Sequence, residues 1–241
     1  MFKDHTENQK YIDYLQPLNQ DVFEIIHTRM KSIDEDWYKK KILDYGCNNG
    51  HLLRTAKNNI PLENYLGIDV QEKPLMQAEE EFNGARFVHY NGYHVSFNPL
   101  GNKALPDINF KPNIIVCHGV FTHCDLTTII KTIDFFKTII QPKGYIIFSL
   151  WEDHHLSRYI DIFLKDRLNI KVPVDIAVTP YSNSYYLINR NTAIIDQDTL
   201  ELESCDWIET FYRREYLIQK IPQLLIPLGI KSKHTIFVLP T

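Results

Sequence analysis

The sequence predicts an α/β fold, a doubly wound and mostly parallel sheet with flanking helices. Short apolar runs alternate with helical patterns from residue 42 onward, and this order of elements is typical of parallel sheets. The runs are apolar throughout, so helices are expected to cover both faces of their strands. A small-residue turn at residues 46–50 joins the first run to a helix, as in Rossmann-like folds.

The order of elements can be read along the chain. The expected strands are Lys41–Tyr45, Tyr65–Asp69, Arg86–Tyr90, Asn113–Cys117, Tyr145–Leu150 and Thr235–Leu239, with a hairpin of Tyr185–Ile188 and Ala193–Asp196. The expected helices are Asn19–Ile33, His51–Asn58, Pro74–Phe82, Leu126–Ile140, Ser157–Leu168 and Arg214–Leu225. The repeat breaks after the fifth strand, so an inserted lid on the substrate side is expected there.

Bulk properties exclude several classes of protein. A formal net charge of −4 argues against broad nucleic-acid binding, which usually draws on a basic surface. No apolar run approaches the ~18 residues of a membrane span, and the polar start at residues 1–7 lacks the apolar core of a secretory signal. The four cysteines show no Cys-x-x-Cys spacing, which favours reduced thiols and a cytoplasmic protein.

The most specific pattern follows the first strand, Asp44-Tyr45-Gly46-Cys47-Asn48-Asn49-Gly50. A strand-to-helix turn of this kind presents backbone N–H groups at the carboxyl edge of a parallel sheet, where polar ligands bind. Asp69 closes the second apolar run, and an acid at that point can accept hydrogen bonds from both ribose hydroxyls of a nucleoside. The dinucleotide fingerprint Gly-x-Gly-x-x-Gly is absent, which argues against NAD.

These residues resemble the motifs of class I S-adenosylmethionine-dependent methyltransferases. Residues 44–50 are similar to that family's first motif, usually Asp-x-Gly-Cys-Gly-x-Gly, although Asn48 stands where glycine is usual. Asn tolerates a positive φ better than most residues, or else the loop has a different shape. Asp69 and residues 91–92, 119–123 and 141–145 match later motifs of the family in the expected order.

The resemblance implies S-adenosylmethionine as the cofactor, S-adenosylhomocysteine as the product, and no metal. The residues that it implies around the cofactor are Asp44, Gly46, Cys47, Asn48, Gly50, Asp69, Val70, Asn91, Gly92 and His118. The family's first-motif acid reaches the ammonium end of the cofactor, directly or through water, and here that acid is Asp44.

Histidines at the carboxyl ends of strands are the candidate catalytic residues. Methyl transfer is an in-line displacement in which the protein aligns the nucleophile and can remove its proton, a task that suits a histidine. His118 directly follows the fourth strand, and His154 and His155 follow the fifth. His118 could instead contact the cofactor, and the other two could lie in a solvated loop.

The segment after the fifth strand carries the candidate acceptor-binding residues. Tyr181, Tyr185 and Tyr186 offer aromatic faces with hydroxyl groups, while Arg190 and Arg213 could pair with a phosphate or carboxylate. The alternative is a hairpin that packs against a second copy of the chain, which would make the protein a homodimer.

We therefore expect one methyltransferase domain over residues 1–241: a helical cap (1–40), a cofactor-binding core (41–150), an acceptor-side insertion (151–207) and a closing helix and strand (208–241). The expected function is methylation of a polar small molecule, at an oxygen of a sugar or of a phosphorylated or nucleotide-linked precursor. Two alternatives stay open. Residues 46–51 also resemble a loop of RNA 5′-γ-phosphate capping methyltransferases, which suggests RNA (terminal phosphate or ribose), and the unusual Asn48 would suit a non-catalytic binding protein.

Overall fold

A computed structural model of the protein describes residues 21–93, 97–98, 100–102, 106–124, 126–152, 185–189, 193–195, 208–212, 214–221 and 235–241. The strands are β1 (Ile42–Tyr45), β2 (Tyr65–Asp69), β3 (Arg86–His89), β4 (Ile114–Cys117), β5 (Tyr145–Glu152), β6 (Tyr185–Asn189), β7 (Ala193–Ile195), β8 (Ile208–Tyr212) and β9 (Thr235–Pro240). The α-helices are α1 (Val22–Met30), α2 (His51–Ala56), α3 (Glu72–Glu81), α4 (Leu126–Ile139) and α5 (Arg214–Lys220).

The strands form one mixed sheet in the order β3-β2-β1-β4-β5-β8-β6-β7, with β9 also paired to β5. β1 to β5 are parallel to their neighbours, whereas β9 runs antiparallel to β5. β2 and β3 lie on one side of β1, and β4 and β5 lie on its other side. The strand order therefore reverses between β1 and β4. The carboxyl ends of β1 and β4 thus flank the crevice in which open α/β sheets bind ligands.

Helices cover both faces of the sheet, as the continuous apolar runs predict. On one face α4 packs Ile129, Ile133 and Phe136 against a core that includes Leu43. On the other face α1 and α2 pack on a core that includes Ile42. Successive residues of a strand point to opposite faces, so Asp44 shares the face of Ile42, under α1 and α2.

The predicted strands of the core lie within two residues of the observed ones, whereas three helices begin or end differently. α1 was predicted over Asn19–Ile33 but spans Val22–Met30, with Asp21 as its N-cap. α2 ends two residues early, because Lys57 and Asn58 adopt positive φ values of 49° and 71° that end the helix. α3 begins at Glu72, ahead of the predicted start at Pro74, because proline is tolerated in the first turn of a helix.

The fifth strand is longer than predicted, and one strand was missed. Trp151 and Glu152 continue β5 instead of starting the insertion, and they pair in parallel with Phe211 and Tyr212 of β8. The prediction for residues 208–212 gave no strand, because the sequence Ile-Glu-Thr-Phe-Tyr alternates poorly and its partners lie far along the chain. The predicted hairpin of β6 and β7 is present as an antiparallel pair.

No helix in the described part of the chain is long and apolar enough to cross a membrane.

Candidate cofactor site

The turn after β1 is tied to the end of β2 by its backbone. The N–H groups of Gly46 and Cys47 both donate to the carbonyl oxygen of Ile68, at 2.8 and 3.1 Å. Gly46 and Gly50 both have a φ of 77°, in the left-handed region that favours glycine. A Cβ atom at Gly46 would lie 2.2 Å from Cγ2 of Val120, so the turn also approaches the loop after β4 closely.

Asn48 adopts a φ of 50°, which is the positive φ that its residue type tolerates. Its Oδ1 accepts a 2.7 Å hydrogen bond from the N–H of Asn49, so the side chain supports the turn that it belongs to. Arg54 of α2 donates to Oδ1 and to the carbonyl oxygen of Asn49, and it also pairs with Glu81 of α3. Asn48 therefore provides the positive φ at the position where glycine is usual.

Asp69 lies at the end of β2 with both carboxylate oxygens in hydrogen bonds. Its Oδ2 accepts from the N–H of Asn48 at 2.8 Å, and its Oδ1 accepts from the N–H of Gln71 at 2.9 Å. Burial raises the pKa of Asp69, while these backbone donors act in the opposite direction. A backbone hydrogen bond from Val70 also lowers the pKa, and the lone pairs that remain on the carboxylate can accept hydrogen bonds from the hydroxyl groups of a ligand.

Asp44 is a second buried carboxyl group in the same crevice. Its side chain is 4% exposed, and its Oδ2 accepts a 2.6 Å hydrogen bond from the hydroxyl of Tyr65. Burial raises the pKa of Asp44 to about 7; the Tyr65 hydrogen bond lowers that pKa and the charge of Asp69 raises it. A carboxyl group with this pKa gains by binding a cation, because the cation restores the charged form.

Cys47 is a packing residue in this structure. Its side chain is buried, and a Cβ atom at Gly67 would lie 2.7 Å from its Sγ, so the missing side chain at Gly67 makes room for the thiol. Burial raises the pKa of Cys47 well above its ordinary value, which keeps the thiol neutral.

His118 and Gly119 follow the end of β4, on the other side of β1 from Asp69. Burial lowers the pKa of His118 to about 4, with a smaller contribution from His51 at the start of α2. Gly119 has a φ of 72°, and no described atom lies within 4 Å of the place where its Cβ would stand. The N–H of Gly119 donates to Oγ of the fully buried Ser149, which fixes this loop to β5.

The loop after β3 is held by asparagine side chains. Nδ2 of Asn98 donates to Oδ1 of Asn91 at 3.0 Å and to the carbonyl oxygen of Gly92 at 2.9 Å. The N–H of Asn102 donates to the carbonyl oxygen of Asn91 at 2.8 Å. Val70 lies between this loop and the first turn, and its carbonyl oxygen is 3.1 Å from Nε2 of His89.

The structure thus brings the predicted cofactor residues to one edge of the sheet, whereas most acceptor residues lie outside the described part. His154, His155, Tyr181, Arg190 and Arg213 lie outside the described residues. Tyr185 and Tyr186 begin β6, where the backbone alone is described.

Sequence reasoning missed two residues of this site. Tyr65 reads as an apolar strand residue, and its bond to Asp44 depends on the register between β1 and β2. His51 belongs to the first-motif stretch, but its effect on His118 requires the three-dimensional fold. Among the described residues, no group of three or more His, Cys, Asp or Glu side chains is arranged to hold a metal ion.

Comparison with known proteins agrees with this geometry. A family model described as a methyltransferase domain matches residues 43–146, which run from β1 into β5. The tRNA U34 carboxymethyltransferase of Campylobacter hominis is 30% identical over 125 residues, a match that covers 45% of this chain and 40% of that protein. The chain therefore aligns with less than half of that curated relative.

Solved structures show the same fold over nearly the whole chain. An S-adenosylmethionine-dependent methyltransferase of Clostridium acetobutylicum is 14% identical and has a TM-score of 0.56, with 95% of this chain and 97% of that chain covered. Streptomyces venezuelae DesVI is 11% identical with a TM-score of 0.57 and full coverage of both chains. CalS10 of Micromonospora echinaspora, an amino pentose methyltransferase with S-adenosylmethionine bound, is 11% identical with a TM-score of 0.56, and the match covers 100% of this chain and 99% of that one.

The sheet order and the flanking helices define a Rossmann-like fold. The match at residues 43–146 is a match to a methyltransferase domain over less than half of the chain, and the solved structures show that the chain shares the fold of S-adenosylmethionine-dependent methyltransferases. The two buried carboxyl groups, Asp44 and Asp69, have the chemistry to bind the ammonium group and the ribose of S-adenosylmethionine, the ligand bound in CalS10.

Proposed function

We propose that the protein transfers the methyl group of S-adenosylmethionine to an oxygen atom of a polar small molecule. The observation that carries the proposal is the crevice between β1 and β4. Buried carboxyl groups of Asp44 and Asp69 form one side of it, and His118 and Gly119 form the other. Such an arrangement suits a cofactor on the acidic side and an acceptor beside the histidine.

On the acidic side, Asp69 would accept hydrogen bonds from the ribose hydroxyls through the lone pairs that its backbone donors leave. Asp44 would bind the ammonium group. Asn91, whose Oδ1 is occupied by Asn98, would offer its Nδ2 as a donor toward the adenine ring. S-adenosylmethionine, when bound, supplies an activated methyl group, and the protein contributes alignment.

On the acceptor side, the lowered pKa of His118, about 4, keeps its imidazole neutral at physiological pH. A neutral imidazole can accept a hydrogen bond from an acceptor hydroxyl and orient its oxygen, although so low a pKa makes it a weak base. The space beside Gly119 gives that hydroxyl a place at the end of β4. His154, His155, Arg190 and Arg213 remain predicted contributors from the insertion, and a homodimer remains a prediction.

A binding measurement followed by an acceptor screen tests the proposal. Calorimetric titration with S-adenosylhomocysteine should show micromolar binding by the wild type and at least ~100-fold weaker binding by Asp69→Asn, whose amide would meet backbone N–H donors. Asp134→Asn is the matched control, because that side chain is 64% exposed and pairs on the surface with Lys137. No binding by the wild type would reject the proposal.

The acceptor screen separates small molecules from RNA. Amino sugars, sugar phosphates and nucleotide-linked sugars are the first panel, since an amino pentose is the acceptor named for the structurally similar CalS10. Methyl transfer to a member of this panel, lost in His118→Ala with cofactor binding retained, would support the proposal. Cofactor binding without transfer to any acceptor would favour the non-catalytic alternative.

A second candidate function is methyl or carboxymethyl transfer to RNA. Its support is the 30% identity to the tRNA U34 carboxymethyltransferase of Campylobacter hominis, which exceeds the identity to the structurally similar methyltransferases. A net charge of −4 argues against it. Salt-dependent binding of bulk tRNA at physiological ionic strength, with transfer of a labelled group to it, would favour RNA.

A further inference from the structure

Tyr65 and Asp44 form a buried pair beneath the cofactor site. Tyr65 is fully buried and Asp44 is 4% exposed, and the two oxygens of their hydrogen bond are 2.6 Å apart. The register of β1 and β2 sets Asp44 opposite Gly67 and Tyr65 opposite Ile42. Asp44 and Tyr65 are thus diagonal neighbours on the same face of the sheet, and Gly67 places no side chain between them.

Packing holds the Tyr65 hydroxyl at this place. The ring of Tyr65 meets that of Phe87 edge-on, with ring centroids 5.7 Å apart, and it lies in the core under α1 and α2. Within the described part of the chain, the hydroxyl bonds Oδ2 of Asp44, which leaves Oδ1 for a ligand. A carboxylate restrained in this way presents a fixed oxygen to a cation at little entropic cost.

We propose that Tyr65 is a positioning residue, which orients the Asp44 carboxylate, favours its ionised form and so determines affinity for the amino-acid end of the cofactor. This inference rests on the proposed function, in which Asp44 binds the ammonium group of S-adenosylmethionine. Tyr65 is fully buried and donates its hydroxyl to Asp44, so it acts through that carboxylate rather than on the cofactor itself.

The inference includes a pH dependence whose direction follows from the surroundings of Asp44. The titratable groups that interact with it are Tyr65 and Asp69 of β2, Cys47 of the first turn and, from the opposite face of the sheet, Cys117 of β4. Burial raises the pKa of Asp44 to about 7, and the Tyr65 hydrogen bond lowers that pKa. Loss of the hydroxyl should therefore raise the pKa further and weaken ammonium binding near neutral pH.

The test compares two ligands, S-adenosylhomocysteine and 5′-methylthioadenosine, which keeps the adenine and ribose but lacks the amino-acid end. The ratio of their affinities isolates the Asp44 contribution, because both ligands use Asp69. In Tyr65→Phe this ratio should fall about threefold at pH 7.5, because a pKa raised by about one unit from 7 lowers the ionised fraction of Asp44 about threefold at that pH, and it should recover toward pH 9. In the wild type the ratio should decline as the pH falls through about 7.

Tyr45→Phe is the matched control. Its hydroxyl is 2.6 Å from that of Tyr90, and its ring packs on the opposite face of the sheet, so the affinity ratio should stay unchanged. The ligand's own amino group titrates alike in every variant and cancels between them.

Two results would overturn the inference while leaving the proposed function standing: an unchanged ratio in Tyr65→Phe, or a ratio in the wild type that does not vary between pH 6 and pH 9. Should Tyr65→Phe fail to fold, the wild-type profile still decides the pH dependence. If the wild type binds neither ligand, the proposed function fails and the inference fails with it.

Discussion

The backbone N–H of Asn48 donates a 2.8 Å hydrogen bond to Oδ2 of Asp69, which joins the turn after β1 to the acid at the end of β2. The two residues lie on different loops at adjacent strand ends, and each loop depends on the other. Asp69 orders the turn through Asn48 and the start of α3 through Gln71, so the acid expected to bind ribose also holds the backbone around it.

The first prediction concerns this double role of Asp69. In Asp69→Ala the amides of Asn48 and Gln71 lose their acceptor, so their hydrogen exchange should become roughly ten- to a hundredfold faster. The amide of Gly46 is an internal control, since it donates to the carbonyl oxygen of Ile68 and should keep its protection. Exchange measured by NMR on the free protein reports all three amides, and equal protection of Asn48 in both proteins would contradict the role.

The second prediction concerns the unusual residue of the first motif. Asn48→Gly should change the free energy of unfolding by less than about 0.5 kcal/mol. Glycine removes the strain of the positive φ, and this offsets the loss of the hydrogen bond that Oδ1 of Asn48 accepts from the N–H of Asn49. Asn48→Ala should cost about 1–2 kcal/mol, because alanine keeps the strain and loses the bond. Urea denaturation measures both values. A larger loss for glycine than for alanine would mean that the side chain, rather than φ, determines the turn.

The third prediction compares two glycines with nearly equal φ, 77° at Gly46 and 72° at Gly119. Gly46→Ala should destabilise the protein by about 2–4 kcal/mol, because its Cβ would overlap Val120 at 2.2 Å in addition to the backbone strain. Gly119→Ala should cost about 1 kcal/mol, the strain alone. Its methyl group enters the crevice, so it should weaken acceptor binding more than stability.

Thermal unfolding together with acceptor KM distinguishes the two positions. An equal loss of stability at both glycines would show that strain dominates and that the close approach to Val120 relaxes at little cost.

Much of the fold follows from the sequence, because the core elements are defined locally. The prediction for β2 matches its observed bounds, Tyr65–Asp69, since a five-residue apolar run between turn signals leaves little choice. Asp44, Asp69 and His118 were predicted at one edge because each follows or ends a parallel strand, and such ends meet at the same edge of a sheet.

What the sequence did not predict depends on register and distant pairing. The Tyr65–Asp44 bond arises because Asp44 lies opposite Gly67, and a shift of one residue would turn the tyrosine to the other face. β8 pairs with residues of β5 that lie more than fifty positions earlier, and its own sequence lacks clean alternation. The lowered pKa of His118 likewise depends on burial in the folded crevice.

The last prediction concerns the cost of keeping a carboxyl group under the cofactor. The pKa of Asp44 is about 7 in the folded protein and near 3.8 in the unfolded chain. At a pH between these two values, the folded protein keeps a proton on Asp44 that the unfolded chain has lost. The free energy of unfolding that depends on Asp44 is therefore highest below about pH 4 and decreases as the pH rises through 7. Asp44→Asn stays neutral and can still accept the Tyr65 hydrogen bond through its amide oxygen.

The free energy of unfolding of Asp44→Asn minus that of the wild type should therefore grow from pH 5 to pH 8, by more than about 1 kcal/mol. Because the pKa of His118 is lowered, the free energy of unfolding increases with pH between about pH 4 and 6.5, opposite to the effect of Asp44. This effect is the same in both proteins and cancels in the difference. Urea denaturation at each pH measures the difference, with Asp134→Asn as the exposed control. A more stable Asp44→Asn that no longer binds S-adenosylhomocysteine would show that Asp44 is kept for binding at the expense of stability, whereas a constant difference would place its pKa near the ordinary value.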